Sequence, residues 1–451
     1  MNTDFIILAA GRGKRMTGSL PKVLLPIAGK PMAQHVLDTV AGIENSRPII
    51  VIENQKSEVK KFLLTPKNTK WVTQRKQLGT GHAVKTALPE LRTGSIAVVL
   101  YGDVPLVEVN TLKALIKMAR KDSLVILTFN KEHSEGYGRI VRGSKNQVEA
   151  IVEEKDASKL QKKITEVNSG ILAIQSAHLK KLLPKIKNKN AAKEYYLTDI
   201  VGLAKEEGMK INPLLLKESD EVLGANTPLE LQDLERASQR IKANKLLLSG
   251  VNIADVNRID SRGTLKVGRG SFIDVNNVFE GVVEIGKNVK IGPNCFVKDS
   301  TIGDGVNVKA STVIEDSQVG PGCTLGPFAR LRGGTVMEGN SELGNFVEAN
   351  RSTIGRDSKA KHLTYLGDAT LGTKVNIGAG TITCNYDGEK KHKTKLEDEV
   401  FVGSNTSLVA PVTLGKKSST GAGSVITKNV SPGDLAIGRS RQSNIKRKNK
   451  K

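Results

Sequence analysis

Apolar residues followed by glycine recur along the second half of the chain: Ile285-Gly286, Ile291-Gly292, Ile302-Gly303, Val319-Gly320, Leu325-Gly326, Leu371-Gly372, Ile377-Gly378 and Leu414-Gly415, several of them six residues apart. A period this short cannot be a helical repeat, whose units need about 30 residues. It predicts short strands separated by tight turns. The apolar side chain points into a narrow column, and glycine supplies the turn's unusual dihedrals. The rear half therefore reads as a solenoid from about residue 251 to 430. The beat drifts around Glu338 to Ala349. From Thr381 to Glu399 a polar stretch leaves it altogether, and inserts in a solenoid map to loops on one face, often the binding face.

Residues 1 to about 226 carry a different pattern. Apolar runs at Phe5–Ala9, Ile49–Ile52, Ile96–Leu100 and Leu124–Leu127 alternate with helix-like segments such as Pro31–Val40 and Val109–Met118. Near-continuous apolar strands between helices predict an α/β domain, its parallel or mixed sheet covered on both faces. Gly138–Arg142 and Val148–Glu153 look like an antiparallel pair framing a pocket. Thr227-Pro228 is a helix start, with Thr as cap and Pro in the first helical position. Leu231, Leu234, Ile241 and Leu248 follow near helical spacing, so residues 227–250 read as one long connecting helix ended by Gly250.

Composition narrows the picture. A chain of 451 residues predicts two or three domains. A single tryptophan, Trp71, suits a solenoid stacked from Val, Ile and Leu. Cys295, Cys323 and Cys384 stand far apart, which predicts reduced thiols in a cytoplasmic protein rather than disulfides or a zinc site. No run approaches membrane-span length, so no membrane insertion is expected. The net charge of +23 asks for anionic partners, phosphorylated small molecules among them. The basic tail, Lys446 to Lys451, reads as a solvated end.

The chemistry of the front half concentrates at strand ends. The first strand runs into Leu8-Ala9-Ala10-Gly11-Arg12-Gly13-Lys14-Arg15-Met16. Glycines here let backbone N–H groups approach a phosphate, and Arg15 adds charge. The loop is neither a Walker A motif nor a dinucleotide fingerprint, because Met16 holds the third Gly position. Pro21-Lys22 follows on a short rigid segment, Gln77-Leu78-Gly79-Thr80-Gly81-His82 is a second glycine-rich turn, and Tyr101-Gly102-Asp103 ends an apolar strand. An acid there either caps a helix or holds Mg²⁺ through one or two protein oxygens plus phosphates. Open α/β sheets bind ligands at such strand ends.

The string L-A-A-G-x-G-x-R-M followed by L-P-K resembles the sugar-1-phosphate nucleotidyltransferases. Taken with the rear half, the whole chain from Leu8 to about Arg439 resembles the bifunctional bacterial N-acetylglucosamine-1-phosphate uridylyltransferase/glucosamine-1-phosphate N-acetyltransferase family. The resemblance implies a Rossmann-like nucleotidyltransferase domain at 1–226, a linker helix at 227–250, and a left-handed parallel β-helix with a basic tail at 251–451. It implies that Leu8, Ala9, Ala10, Gly11 and Gly13 line a UTP site, with Arg15 and Lys22 on the phosphates. Gln74, Gly79 and Thr80 would read the uracil. Asp103 and Asn226 would hold Mg²⁺. Gly138, Glu153, Asn168 and Tyr196, with Asn226, would hold the acetylated sugar. Lys14 stands where the family has a small or hydroxylated residue, and either adds charge or points to solvent.

In the rear half His362 is marked by its company, Lys361-His362-Leu363-Thr364-Tyr365-Leu366-Gly367-Asp368. Histidine titrates near neutrality and can take a proton from an amine attacking a thioester. H-L-T-Y-L-G-D and N-I-G-A-G-T-I-T-C-N-Y-D-G resemble the family's acetyltransferase half. They imply a homotrimer with acetyl-CoA sites between subunits and His362 as general base. Arg332, Asn350, Tyr365, Asn376 and Lys391 would surround glucosamine-1-phosphate, Asn385 and Tyr386 would frame the reacting groups, and Ala379, Ser404, Ala422 and Arg439 would contact acetyl-CoA. Asn350 departs from the family's usual Lys. Arg351 either replaces it or leaves the phosphate less well held, since one step along a strand reverses the side chain's face.

The expected product, UDP-N-acetylglucosamine, feeds peptidoglycan and lipopolysaccharide synthesis. Two other readings fit parts of the chain. One is a nucleotidyltransferase for another sugar phosphate with a non-catalytic solenoid; the His362 and Asn385-Tyr386 constellation argues against it. The other is an exchange-factor-like scaffold that binds RNA; Lys22, Asp103 and Asn226 argue against it, and nucleic acid is not an expected partner.

Overall fold

A computed structural model describes residues 2–11, 20–53, 58–120, 122–217 and 219–445. Gly13, Lys14, Arg15 and the basic tail lie outside the described residues. The chain forms two compact units, Met1–Ser238 and Gln239–Lys451.

The first unit is built on strands β1 (Thr3–Leu8), β2 (Ser46–Ile52), β3 (Lys70–Thr73), β4 (Ile96–Tyr101), β5 (Ser123–Asn130), β6 (Arg139–Arg142), β7 (Val148–Val152), β8 (Glu166–Gln175) and β9 (Lys210–Leu215). Their order is β9-β5-β8-β4-β1-β2-β3, with β6 joined to β8 and to β7. The sheet is mixed: β8 runs antiparallel to β4 and β5, whereas β1 is parallel to both β2 and β4. The apolar strand runs are explained by double-sided burial. Phe5 and Ile7 enter one core with Val36 and Leu37 of α1 (Met32–Ala41) and Leu112 of α3 (Val109–Ala119). Ile6 enters the other, with Ala83 and Val84 of α2 (Thr80–Ala87). The chain leaves β1 towards β2 and β3 and returns on its other side as β4, so a crevice opens at the carboxyl ends of β1 and β4, where Leu8 and Tyr101 are in register.

Helix α4 (Pro228–Leu248) begins as expected. The Thr227 hydroxyl accepts from Glu230 N–H, and the Glu230 carboxylate accepts from Asn226 and Thr227 N–H groups, a capping box. It ends on Gly250 at φ +90°, with Gly250 N–H donating to Leu247 and Val251 N–H to Leu246, a Schellman closure. The division between the units falls inside this helix. Leu234 packs with Ile27 and Met32 of the first unit, and Ala243 joins the core of the second. Leu248, placed by spacing on the apolar face, is exposed, because it sits in the final turn where the chain leaves the helix.

The second unit is a left-handed parallel β-helix. Its strands pair mainly with the third strand onward, so three strands make one triangular coil. Ile291 lies under Val308, which lies under Leu325 and then Leu343, in one apolar column. Among the repeat glycines only Gly326 supplies a left-handed turn, at φ +80°, as expected; the others have a different reason. Gly286, Gly292, Gly303, Gly320 and Gly378 do not adopt positive φ; the left-handed corners belong instead to residues such as Asn288, Asn294, Asp299 and Asn340. What requires glycine is close approach. A Cβ on Gly378 would stand 2.5 Å from Ser404 N, and one on Gly355 2.2 Å from Gly372 O, in the coil above. The drift at Glu338–Ala349 is no break: Glu342–Asn350 is a continuous strand in register with Lys359–Gly367. Buried Cys295 and Cys323 lie in positions that neighbouring coils fill with Thr312 and Ser341, and burial pushes both thiols up.

Candidate active sites

In the first unit, Leu8, Ala10, Gly11, Lys22, Gln74, Gly79, Thr80, Asp103 and Asn226 line one cleft of about 570 Å³. Ala9 does not line it; buried, it gives its N–H to Val51. Pro21 directs the chain into the short turn Lys22–Leu24, which aims Lys22 at Asp103 beyond the end of β4. The Lys22 ammonium forms an ion pair with the Asp103 carboxylate and donates to Asn226 Oδ1 at 2.6 Å. Two oxygen donors thus converge on a cation. That donor set suits Mg²⁺, which keeps several waters and needs few protein ligands. Among the described residues no group of three or more His, Cys, Asp or Glu forms a closed cage for a metal.

The second glycine-rich turn is fixed by backbone. Gly79 has φ +107°, and a Cβ there would lie 2.6 Å from Tyr195 O. Gly81 N–H donates to Tyr195 O, and Tyr195 N–H to Leu78 O. Gln74 donates to Gly79 O and to His82 Nδ1.

The expected sugar residues gather beside this cleft. Asn168 N–H donates to Gly138 O, and Glu153 stands against Gly138 while accepting from the Thr198 hydroxyl at 2.8 Å. Burial pushes the Glu153 carboxyl up; the Thr198 hydrogen bond opposes this, and the acids Asp199, Asp156 and Glu194 add to it. Tyr196 sits near Asp156 and Glu153, and its hydroxyl is pushed up by desolvation first and by those carboxylates second. Sequence reasoning passed over Tyr101, Gln77 and Glu194 as site residues. Tyr101 lines the cleft and also a small adjoining cavity with Asn168 and Thr198, so it links the cleft to the sugar residues. Gln77 donates to Ala10 O at 2.6 Å. The signal for Tyr101 was its place at a strand end two residues before Asp103.

In the solenoid, His362 is exposed on the strand Lys359–Gly367. Its Nδ1 lies 2.7 Å from Oδ1 of Asn345, its register partner one coil back. An amide oxygen only accepts, so Nδ1 carries the proton and Nε2 presents its lone pair. Asn345 was missed; its signal was the coil length, which places it directly beneath His362.

The corner that carries His362 repeats. Gly380 N–H donates to His362 O, Asn405 N–H to Ala379 O, and Gly423 N–H to Ser404 O. Phe346, Leu363, Gly380, Asn405 and Gly423 all have positive φ. Asn345, His362, Ala379, Ser404 and Ala422 therefore form one column. Arg439 donates to Ala422 O at its far end.

A second group stands on the face beyond that corner. Arg351 clamps Asp368 in a two-pronged pair at 2.7 and 2.8 Å and donates to Asn350 Oδ1 at 3.1 Å. Asn385 donates to Asp368 at 2.5 Å, and Tyr365 OH and Asn385 flank Gly367. The Arg351 guanidinium, with Asn385 and the nearby Lys391, holds the Asp368 carboxyl below its usual range against the opposing effect of burial. Asn350 is only 3% exposed. The rule that one step reverses the face does not operate here, because Arg351 is a left-handed corner at φ +51° and turns back beside Asn350. Arg332 pairs with Glu348 at 2.7 Å in the adjoining coil. Asn376 is exposed, between Lys359 and Phe401 in register. The polar insert is a tight loop: Asp387 accepts from Glu389 and Lys390 N–H and from His392, and Tyr386 stays exposed.

The chain matches the MobA-like NTP transferase domain family over residues 5–192, the GMPPB C-terminal domain over 261–385, and the hexapeptide repeat of succinyl-transferase over 393–428. It is 50% identical over 440 residues to the bifunctional protein GlmU of Marinobacter nauticus, covering 98% of this chain and 97% of that one. It is 48% identical over 442 residues to GlmU of Azoarcus sp., covering 98% of both chains, and 48% identical over 442 residues to GlmU of Acinetobacter baumannii, covering 98% and 97%. With a nucleotidyltransferase unit, a hexapeptide solenoid and near-complete alignment to these relatives, the chain belongs to the GlmU family of bifunctional uridylyltransferases and acetyltransferases.

Proposed function

We propose that the solenoid acetylates glucosamine-1-phosphate with acetyl-CoA and that the first unit transfers UMP from UTP to the product, giving UDP-N-acetylglucosamine and pyrophosphate. The observation that carries this reading is the column in which His362 stands in line with Ala379, Ser404 and Ala422. A solenoid that only supported the first unit would have such columns, but no use for an exposed histidine held by Asn345 on one of them.

In acetyl transfer, His362 Nε2 takes the amine proton as nitrogen attacks the thioester carbonyl. The C–S bond then breaks, the His362 imidazolium returns that proton to the departing sulfur, and coenzyme A leaves as thiol. Asn345 keeps the ring in the tautomer that can do this. Ala379, Ser404, Ala422 and Arg439 hold the donor along the column. Arg332, Tyr365, Asn376 and Lys391 hold the sugar phosphate, with Arg351 supplying, beside Asn350, the cation expected at that place. Asn385 and Tyr386 border the reacting groups.

In uridylyl transfer, a phosphate oxygen of the sugar phosphate attacks the α-phosphorus and pyrophosphate leaves. Leu8, Ala10, Gly11, Gln74, Gly79 and Thr80 position the nucleotide, and Lys22 offsets phosphate charge. Gly138, Glu153, Asn168 and Tyr196 orient the sugar. Asp103 and Asn226 would hold Mg²⁺, which supplies positive charge to the triphosphate. The attacking group is already an anion, so no side-chain nucleophile is needed.

The working form is a homotrimer in the cytoplasm. Phe328, Phe346 and Leu363 stand one above another at left-handed corners, 51%, 55% and 62% exposed, with the first two rings stacked 5.2 Å apart. An apolar strip of this kind beside His362 suits burial against another copy. Three free cysteines fit a reducing compartment. Among the described residues no helix is long and apolar enough to cross a membrane.

Incubation with Mg²⁺, UTP, acetyl-CoA and glucosamine-1-phosphate, followed by mass spectrometry, tests both reactions. UDP-N-acetylglucosamine formed only with acetyl-CoA present is the expected result. Its absence when N-acetylglucosamine-1-phosphate is supplied directly would exclude the first activity.

A further inference from the structure

We infer that Lys22 is an internal cation that holds the metal position shut in the nucleotide-free protein, so that a divalent ion binds there only together with a triphosphate. This rests on the reading of Asp103 and Asn226 as the metal's protein ligands. The argument starts from burial. Lys22 is 8% exposed, and its ammonium is held by two oxygens, one from each of those residues. They are the same oxygen-bearing side chains that a divalent ion would need. With Lys22 in place, Asp103 is already neutralised and a second cation meets a positive charge at close range.

A nucleotide changes the balance. The cleft that contains Lys22 also contains Gly11, Gly79 and Thr80. A triphosphate seated there carries more negative charge than Asp103 and offers Lys22 another partner a short swing away. Asp103 and Asn226 are then released together. Lys22 thereby couples two binding events, and linkage makes the coupling reciprocal: whatever the nucleotide does for the metal, the metal does for the nucleotide.

The test reads metal binding without turnover. Mn²⁺, as a paramagnetic stand-in for Mg²⁺, is titrated into the full-length, nucleotide-free protein and free ion is followed by EPR. Lys22→Gln and Lys22→Met remove the charge with different polarity, and thermal melts establish that each is folded. Both variants are expected to bind Mn²⁺ about tenfold more tightly than the unaltered protein, given the strength of close charge repulsion in a partly buried site. Adding Asp103→Asn to Lys22→Gln is expected to remove the gained site. Folded Lys22 variants that bind Mn²⁺ no more tightly would overturn the inference and leave the metal ligands standing. A gained site that survives Asp103→Asn would overturn the assignment of Asp103, and the inference with it.

Discussion

Asn345 Oδ1 and His362 Nδ1 are 2.7 Å apart, joined across consecutive coils of the solenoid. The neighbour is a neutral amide rather than a carboxylate, and its oxygen fixes the tautomer. Asn345→Ala is expected to lower kcat for acetyl transfer by about 10- to 100-fold, the usual scale of general-base effects, with little change in KM. Asn345→Asp places a carboxylate against the ring and favours its charged form. The acid limb of the kcat profile should move to higher pH. An unmoved limb would remove Asn345 from the positioning of the base.

Asp103→Asn should abolish uridylyl transfer and leave acetyl transfer intact, because the two sets of residues belong to separate compact units. His362→Ala should do the reverse. Separate assays of pyrophosphate and of free thiol check both, and loss of both activities in either variant would contradict the independence of the sites.

Glu153 ties function to instability. A buried carboxyl with a raised pKa binds more protons folded than unfolded, so the fold loses stability as pH rises from the ordinary glutamate range through the raised value. Glu153→Gln should therefore raise the melting temperature at pH 7, with a gain that shrinks towards pH 4. It should also weaken use of N-acetylglucosamine-1-phosphate by about tenfold in kcat/KM, the scale of a lost hydrogen bond to a charged group. A melting temperature that does not rise at pH 7 would count against burial as the dominant cause.

Arg351→Gln is expected to raise KM for glucosamine-1-phosphate about tenfold, the scale of one charge-assisted hydrogen bond, while leaving the pH profile of His362 in place. Asn350→Gln, by contrast, acts on a buried side chain and should lower stability more than affinity.

Gly355→Ala tests the reason for glycine in the repeat. Its Cβ would stand 2.2 Å from Gly372 O, so the coils must part. A loss of about 1–3 kcal/mol, typical of overpacking, should appear in chemical denaturation. An unchanged midpoint would mean that the coils are not in fixed contact there.

Much of this was readable in the chain. The apolar runs at Ile49–Ile52 and Ile96–Leu100 are double-sided strands, and a run buried on both faces leaves few alternatives. The helix at 228–248 announced both its caps. The six-residue beat announced the solenoid and the left-handed turn at Gly326, but not the tight packing at the other repeat glycines, since contact with the coil above is invisible along a sequence. Tyr101 and Asn345 escaped for a related reason. Each matters through a partner brought near by folding: Glu153 in one case, His362 in the other. The polar insert was visible as an interruption, while its internal ties through Asp387 were not.

The column from His362 to Ala422 also has a metric meaning. Successive coils are separated by roughly 4.8 Å, so the residues that would grip the donor lie at fixed distances from the base. The solenoid is in this respect a graduated rule. The polar insert bulges out between strands Ile382–Cys384 and Thr394–Leu396 without adding a graduation, since Ser404 still follows Ala379 in the column. A whole coil gained or lost between 362 and 422 would displace base and anchor by one division. The same change nearer the start of the solenoid would lengthen or shorten the molecule and leave the measured interval untouched.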